Sequence, residues 1–153
     1  MHFSDLALGF YSWARKRQFK KDHPTFLKLL DPKKNDVVLD VGAGTGVITN
    51  DVANISDDVF ALEPEARRVE YIKRKFPQVK AFYGVAESIP FPEFYFTKVY
   101  ILAALHHFKD QDGALYEIHR VLKRNGLLLI YEIPHGKGNL EEKVSNKVFL
   151  SPD

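Results

Sequence analysis

Three glycines spaced two apart, Gly42, Gly44 and Gly46, follow the apolar run VVLDV, and Glu63 closes a second run, DVFAL, about twenty residues later. Glycine is needed where a Cβ would hold the backbone away from a ligand, or where φ is positive. The loop therefore reads as a ligand cradle. A carboxylate at the end of a second strand can accept hydrogen bonds from both adjacent hydroxyls of a ribose, which is the candidate role of Glu63. Its alternative is an exposed acid at a helix start. Together the two features predict an adenosine-containing ligand. A dinucleotide loop reads G-x-G-x-x-G, whereas here the third glycine arrives one residue early and Val47 takes the last place, so NAD or FAD is the second choice. Farther along, His106 and His107 follow a fourth apolar run, and imidazole titrates near neutrality, which makes them the candidate acid–base groups. Their alternative is to cap the next turn. A metal would need a third ligand, and His119 is expected on a separate helix, so no metal site is expected.

Short apolar runs alternating with helical periods supply the frame for these residues. Strands are expected at VVLDV (37–41), DVFAL (58–62), VKAFY (79–83), KVYIL (98–102) and LLLIYE (127–132). Between them fall helices over 46–55, 64–76 and 111–123; Pro64 opens the second, and Asn125-Gly126 ends the third. Ahead of the first strand, Leu6, Phe10, Trp13 and Arg17 at helical spacing predict a helix over 3–21, and Pro24 opens a short one over 25–30 that stops before Pro32. This alternation predicts an α/β, doubly wound, Rossmann-like fold: a mainly parallel sheet of about five strands with helices on both faces and ligands bound beyond the carboxyl ends of the strands. One domain is expected over 1–153, with N-terminal helices over 1–34, the core over 35–133 and a helix or tail over 134–153.

The 45% apolar content is that of a folded globular chain. A formal charge of +2 supplies no strong field for nucleic acid, and the absence of cysteine removes disulfide scaffolds and thiol nucleophiles together. Charges throughout the N-terminal residues leave no signal peptide, and no apolar run is long enough for a membrane span, so a cytoplasmic location is expected.

VLDVGAGTG with Glu63, then GVAESIPF, ALHHF and EIHRVLKRNGLLLIYE, resembles the class I S-adenosylmethionine-dependent methyltransferases, in the broad group that includes the ubiquinone and menaquinone biosynthesis enzymes. The resemblance spans roughly residues 35–133. It implies S-adenosylmethionine as cofactor, S-adenosylhomocysteine as product and a small-molecule acceptor. It also implies that Gly42, Ala43 and Gly44 pass under the methionine part of the cofactor, with Gly46 completing the loop and Asp40 near the amino group. Glu63, with Pro64 beside it, would hold the ribose, Ala86 and Glu87 would flank the adenine, and Ala103, within 102–104, would face the reactive sulfonium. Two positions depart from the pattern: Val85 stands where the family usually has an acid, and Thr97 where it commonly has aspartate.

Tyr11 and Trp13 are candidate lid residues, and the run 15–21 is a candidate basic patch that a solvated helix face explains equally well. The apolar loop IPFPEFYF (89–96) either lines an acceptor site or packs under the sheet. After Glu132 the sequence offers one helix over 140–149 rather than the family's C-terminal hairpin. A bare fifth strand would then be covered by that helix or paired in a homodimer, or the polypeptide is a shortened form of the family.

Overall fold

The computed structural model describes residues 3–132 and 147–150. In chain order these form α1 (Phe3–Phe19), α2 (His23–Leu30), β1 (Val37–Val41), α3 (Val47–Ala53), β2 (Asp58–Glu63), α4 (Ala66–Lys75), β3 (Lys80–Tyr83), β4 (Phe96–Leu102), a 3-10 turn (Leu105–His107), α5 (Gln111–Val121), β5 (Leu122–Tyr131) and β6 (Lys147–Leu150). No helix among the described residues is long and apolar enough to cross a membrane.

The six strands lie in the order β3-β2-β1-β4-β5-β6. β1 is a near-continuous apolar run because it sits at the centre of the sheet with both faces covered. It pairs in parallel with β2, from Val37 opposite Asp58 to Val41 opposite Leu62, and with β4, where Asp40 lies opposite Tyr100. The chain winds outward from β1 to β3, crosses back to β4 and then winds outward the other way. The carboxyl ends of β1 and β4 are thus the switch point at which such sheets bind ligands.

Alternate residues of each strand feed two cores. Val38, Val59, Tyr100, Leu102 and Leu129 pack with Phe26 and Leu30 of α2 and Ile48 and Val52 of α3. Leu39, Val41, Val99, Ile101 and Ile130 face the other way, onto Ala114, Ile118 and Val121 of α5. Among the described residues no helix covers that second face over β2 and β3. The aromatic loop 89–96 covers it instead, with Phe91 placing its ring 5.1 Å from Phe60, 5.1 Å from Phe82 and 4.9 Å from Phe96. Arg120 of α5 fixes the loop by donating to the carbonyls of Phe91 (2.7 Å) and Ile89 (2.8 Å), while Glu117 accepts from the Ile89 N–H (2.9 Å). Of the two roles open to this loop, packing on the sheet is the one observed.

At the far end of the chain the expectation of a helix is corrected. Residues 147–150 form a strand antiparallel to β5, with Leu127 opposite Leu150 and Ile130 opposite Lys147. The backbone of Leu127–Ile130 therefore has a partner, so β5 is not the bare edge on which dimer pairing was expected. Residues 133–146, which hold most of the expected helix, lie outside the described residues. β5 also begins earlier than expected, at Leu122, because that side chain is buried (3% exposed) and pairs with Phe96 ahead of an irregularity in the β4–β5 register.

Candidate functional site

The glycine loop rises from the end of β1, and its three glycines all have positive φ (+82° at Gly42, +61° at Gly44, +72° at Gly46), yet they serve different ends. A Cβ on Gly42 would lie 2.8 Å from Ala104 Cβ, and one on Gly46 would lie 2.8 Å from Ile72 of α4. These two glycines let elements approach closely. A Cβ on Gly44 would meet no atom within 4 Å, so this glycine borders open space. Its N–H donates to Glu63 Oε2 (2.8 Å), tying the loop to the end of β2. Glu63 is only 3% exposed; burial pushes its carboxyl up, against the Gly44 N–H and the Arg68 guanidinium 3.6 Å away, both of which favour the charged form.

Asp40 is the more unusual acid. It is 3% exposed in the middle of β1, where Oδ2 accepts from the hydroxyls of Thr49 (2.6 Å) and Tyr100 (2.7 Å). Oδ1 has no hydrogen-bond partner. Burial is the main reason its carboxyl is pushed up to about 7, with the two hydroxyls opposing the shift. The Tyr100 phenol is pushed up in turn, by burial and by the charge of Asp40.

Both acids line one cavity of about 570 Å³ at the carboxyl edge of the sheet. Gly42, Ala43, Gly44, Pro64 and Ala103 share its wall, as do His106 and His107, so most of the residues singled out from sequence converge here. Ala103 holds φ +49° at the rim, a conformation a non-glycine residue adopts only under constraint. Three expected residues lie elsewhere: Gly46 packs on Ile72, Ala86 is buried in the core, and the Glu87 carboxylate accepts from the N–H groups of Lys109 (3.0 Å) and Asp110 (3.1 Å). Val85 is 43% exposed, and Thr97 works at the opposite edge of the sheet, donating to Asp36 (2.8 Å) and accepting from the Val37 N–H (3.0 Å). Tyr11 does face the cavity, whereas Trp13 is 56% exposed and stacks with Phe10 and Arg17.

The residues 15–21 do not act as one patch. Arg15 turns into the cavity, Lys16 pairs with Asp51 (3.3 Å), Arg17 covers Trp13 and Phe19 is buried in the core. Glu132 was not among the residues read from sequence. Its carboxylate lies 3.2 Å from His106 Nδ1 and accepts from the Leu105 N–H (3.2 Å), which holds one of the two histidines at the cavity rim. The two imidazole rings are 4.0 Å apart. Among the described residues no group of three or more His, Cys, Asp or Glu is arranged to hold a metal ion.

The cavity fits the cofactor implied by the resemblance on two counts. An orphaned buried carboxylate oxygen, Asp40 Oδ1, awaits a cationic donor such as an ammonium group, because an unpaired buried polar atom is costly. At the other end, the open side of Gly44 lies beside Glu63, whose oxygens retain lone pairs for hydroxyl donors.

Comparison with known proteins agrees with this geometry. Residues 39–130 match a family model described as a methyltransferase domain. An uncharacterized methyltransferase of Mycobacterium tuberculosis is 32% identical over 126 residues, 81% of this chain and 51% of that protein. A demethylmenaquinone methyltransferase of Renibacterium salmoninarum is 35% identical over 98 residues, 64% of this chain and 41% of that protein. Among solved structures, the YcgJ protein of Bacillus subtilis superposes with a TM-score of 0.69 at 28% identity, covering 74% of this chain and 50% of that one. The chain spans about half the length of the curated relatives it matches. Since the matched span contains the end of β1 with its glycine loop, Glu63 and the two histidines, the chain belongs to the methyltransferase domain family.

Proposed function

We propose that the domain binds S-adenosylmethionine in the cavity at the β1–β4 switch point and transfers its methyl group to a small-molecule acceptor, leaving S-adenosylhomocysteine. The observation that carries this reading is the pair of buried acids in one cavity: Asp40 with an oxygen free for an ammonium, and Glu63 beside the open face of Gly44. The cofactor, when bound, supplies a methyl group already activated by its sulfonium. What the protein must add is alignment, since holding nucleophile, methyl carbon and sulfur in line removes much of the entropic barrier. The glycine loop and Ala103 set the floor and rim for that alignment. Where the acceptor nucleophile carries a proton, His106 is the group to receive it, with the Glu132 carboxylate orienting the ring and balancing the imidazolium charge. A small-molecule acceptor is supported by the relatives named demethylmenaquinone methyltransferase.

Calorimetric titration with S-adenosylmethionine and with S-adenosylhomocysteine tests the cofactor assignment. Micromolar binding of both is expected; a folded sample that binds neither would overturn it. Detecting S-adenosylhomocysteine as product across an acceptor panel then distinguishes transfer from the alternative, a domain that binds the cofactor without turnover.

A further inference from the structure

α1 turns an apolar stripe outward. Leu6 (57% exposed), Phe10 (69%) and Trp13 succeed one another at helical spacing on its solvent face, while Ser12 and Phe19 are buried on another. The Phe10 and Trp13 rings lie 5.8 Å apart, so the stripe is continuous rather than a scatter of single side chains. Contiguous apolar surface of this kind marks a place where something docks.

The stripe runs into cations. Arg17, next on the same face, sets its guanidinium carbon 5.5 Å from the Trp13 ring centroid, and Lys20 and Lys21 are exposed in the turn that follows α1. None of the three makes an ion pair with any of the described residues. The one acid of α1, Asp5, pairs with Arg74 (2.7 Å), and Asp51 is taken by Lys16 (3.3 Å).

Whatever covers this face must therefore be apolar against Leu6 and Phe10 and anionic against Arg17, Lys20 and Lys21. A second copy of the same face brings only further cations to the basic end. A nucleic acid supplies phosphates but no apolar layer. A bilayer of anionic lipid supplies both, with Trp13 at the level of the headgroups, where an amphipathic ring is best placed.

We infer that α1 docks the domain on the surface of an anionic lipid bilayer, lying in its plane. Leu6, Phe10 and Trp13 enter the acyl boundary, and Arg17, Lys20 and Lys21 remain with the headgroup phosphates. Tyr11 and Arg15 line the cavity from another side of the same helix, so docking leaves the cavity wall in place.

Trp13 is the only tryptophan of the chain, so its emission reports on this surface alone. The test mixes wild type, Leu6→Ser/Phe10→Ser and Lys20→Gln/Lys21→Gln with vesicles of equimolar phosphatidylcholine and phosphatidylglycerol and with vesicles of phosphatidylcholine alone, and reads co-sedimentation and fluorescence. Wild type should sediment with the anionic vesicles, shift its emission to the blue, be quenched by bromine-labelled acyl chains and be released by high salt. Removing the two apolar side chains should weaken vesicle binding by about tenfold or more, and removing the two ammonium groups by a similar factor, with melting temperatures unchanged. Wild type that fails to sediment, or that sediments without acyl-chain quenching, would overturn the docking. Vesicle binding undiminished in Leu6→Ser/Phe10→Ser would overturn it by showing that charge alone is at work. A blue shift that appears without lipid as the protein is concentrated would assign the face to a second copy instead, and binding to poly(U) as tight as to the anionic vesicles would assign it to nucleic acid; either overturns the proposal.

Discussion

Replacing Asp40 with asparagine should stabilise the ligand-free domain at neutral and alkaline pH while weakening its affinity for the cofactor. An aspartate that titrates at 3.8 in the unfolded chain and at about 7 in the folded one binds more protons when folded. Its contribution to stability is therefore complete below the unfolded value and is lost as pH rises through the folded one. Linkage over that interval removes about 2.5 kcal/mol between about pH 5 and about pH 8, at roughly 1.4 kcal/mol per pH unit while the folded group remains protonated. Asparagine keeps an oxygen to accept from Thr49 and Tyr100 and presents its amide to the orphaned side, with nothing to titrate. Urea unfolding of both proteins at the two pH values isolates the term, since every other carboxylate is shared. The asparagine variant should gain on wild type by about 2–3 kcal/mol between about pH 5 and about pH 8. For S-adenosylhomocysteine the sign reverses: losing a charged acceptor for the ammonium should cost about tenfold to a hundredfold in affinity. A stability difference that does not change with pH, or an affinity equal to that of wild type, would refute the reasoning.

Glu63→Ala should lower S-adenosylhomocysteine affinity by about tenfold or more, because it removes the proposed ribose acceptor and releases the Gly44 N–H; calorimetry showing no change would remove the ribose assignment. Gly44→Ala and Gly46→Ala should separate binding from folding. At Gly44 the added methyl has room, so the positive φ costs only about 1–2 kcal/mol of stability, but it projects into the cradle and should abolish tight binding. At Gly46 the same strain is joined by a clash with Ile72, so a larger fall in thermal stability is expected, and equal melting temperatures for the two variants would contradict these assignments. Arg120→Ala should destabilise the domain by about 2 kcal/mol, since the Phe91 carbonyl loses the Arg120 donor, the Ile89 carbonyl keeps only the Phe91 N–H and Glu117 loses its ion pair, and Arg120→Lys should not restore it because one ammonium cannot span both carbonyls and Glu117. Denaturant midpoints read this directly, while cofactor affinity should be unchanged.

Much of the frame was legible in the sequence because parallel strands buried on both faces are short apolar runs and their crossover helices carry their own punctuation. VVLDV, DVFAL and the glycine loop therefore fall where expected, and Glu63 is legible as a carboxylate at a strand end. The contacts that complete the site were not legible, since each joins residues remote in sequence. Tyr100 meets Asp40 only through the β1–β4 register, and Glu132 meets His106 only because β5 lies beside β4. Arg15 was hidden by its neighbours: in a basic run, nothing local distinguishes the side chain that turns inward from those that stay in solvent. Glu87 was assigned through resemblance, but in the fold its lone pairs serve two neighbouring backbone N–H groups. At the C-terminal end, residues 147–150 carry too short an apolar alternation to announce a strand, and it is the partner β5 that makes them one.

The central strand pair has a kinetic consequence. β1 and β4 meet through residues about 60 apart in sequence, as in the Thr97 link to Val37 and the Tyr100 link to Asp40, while β1 meets β2 across a much shorter loop. Closing the longer loop costs more entropy before any contact repays it, so the β1–β2–β3 half is favoured to assemble first and the β4–β5 half to dock onto it. Asp40 enters its polar enclosure only at that docking step, when Tyr100 arrives. The cavity is then a late product of folding, and a bound ligand should act chiefly by slowing the separation of the two halves rather than by speeding their formation.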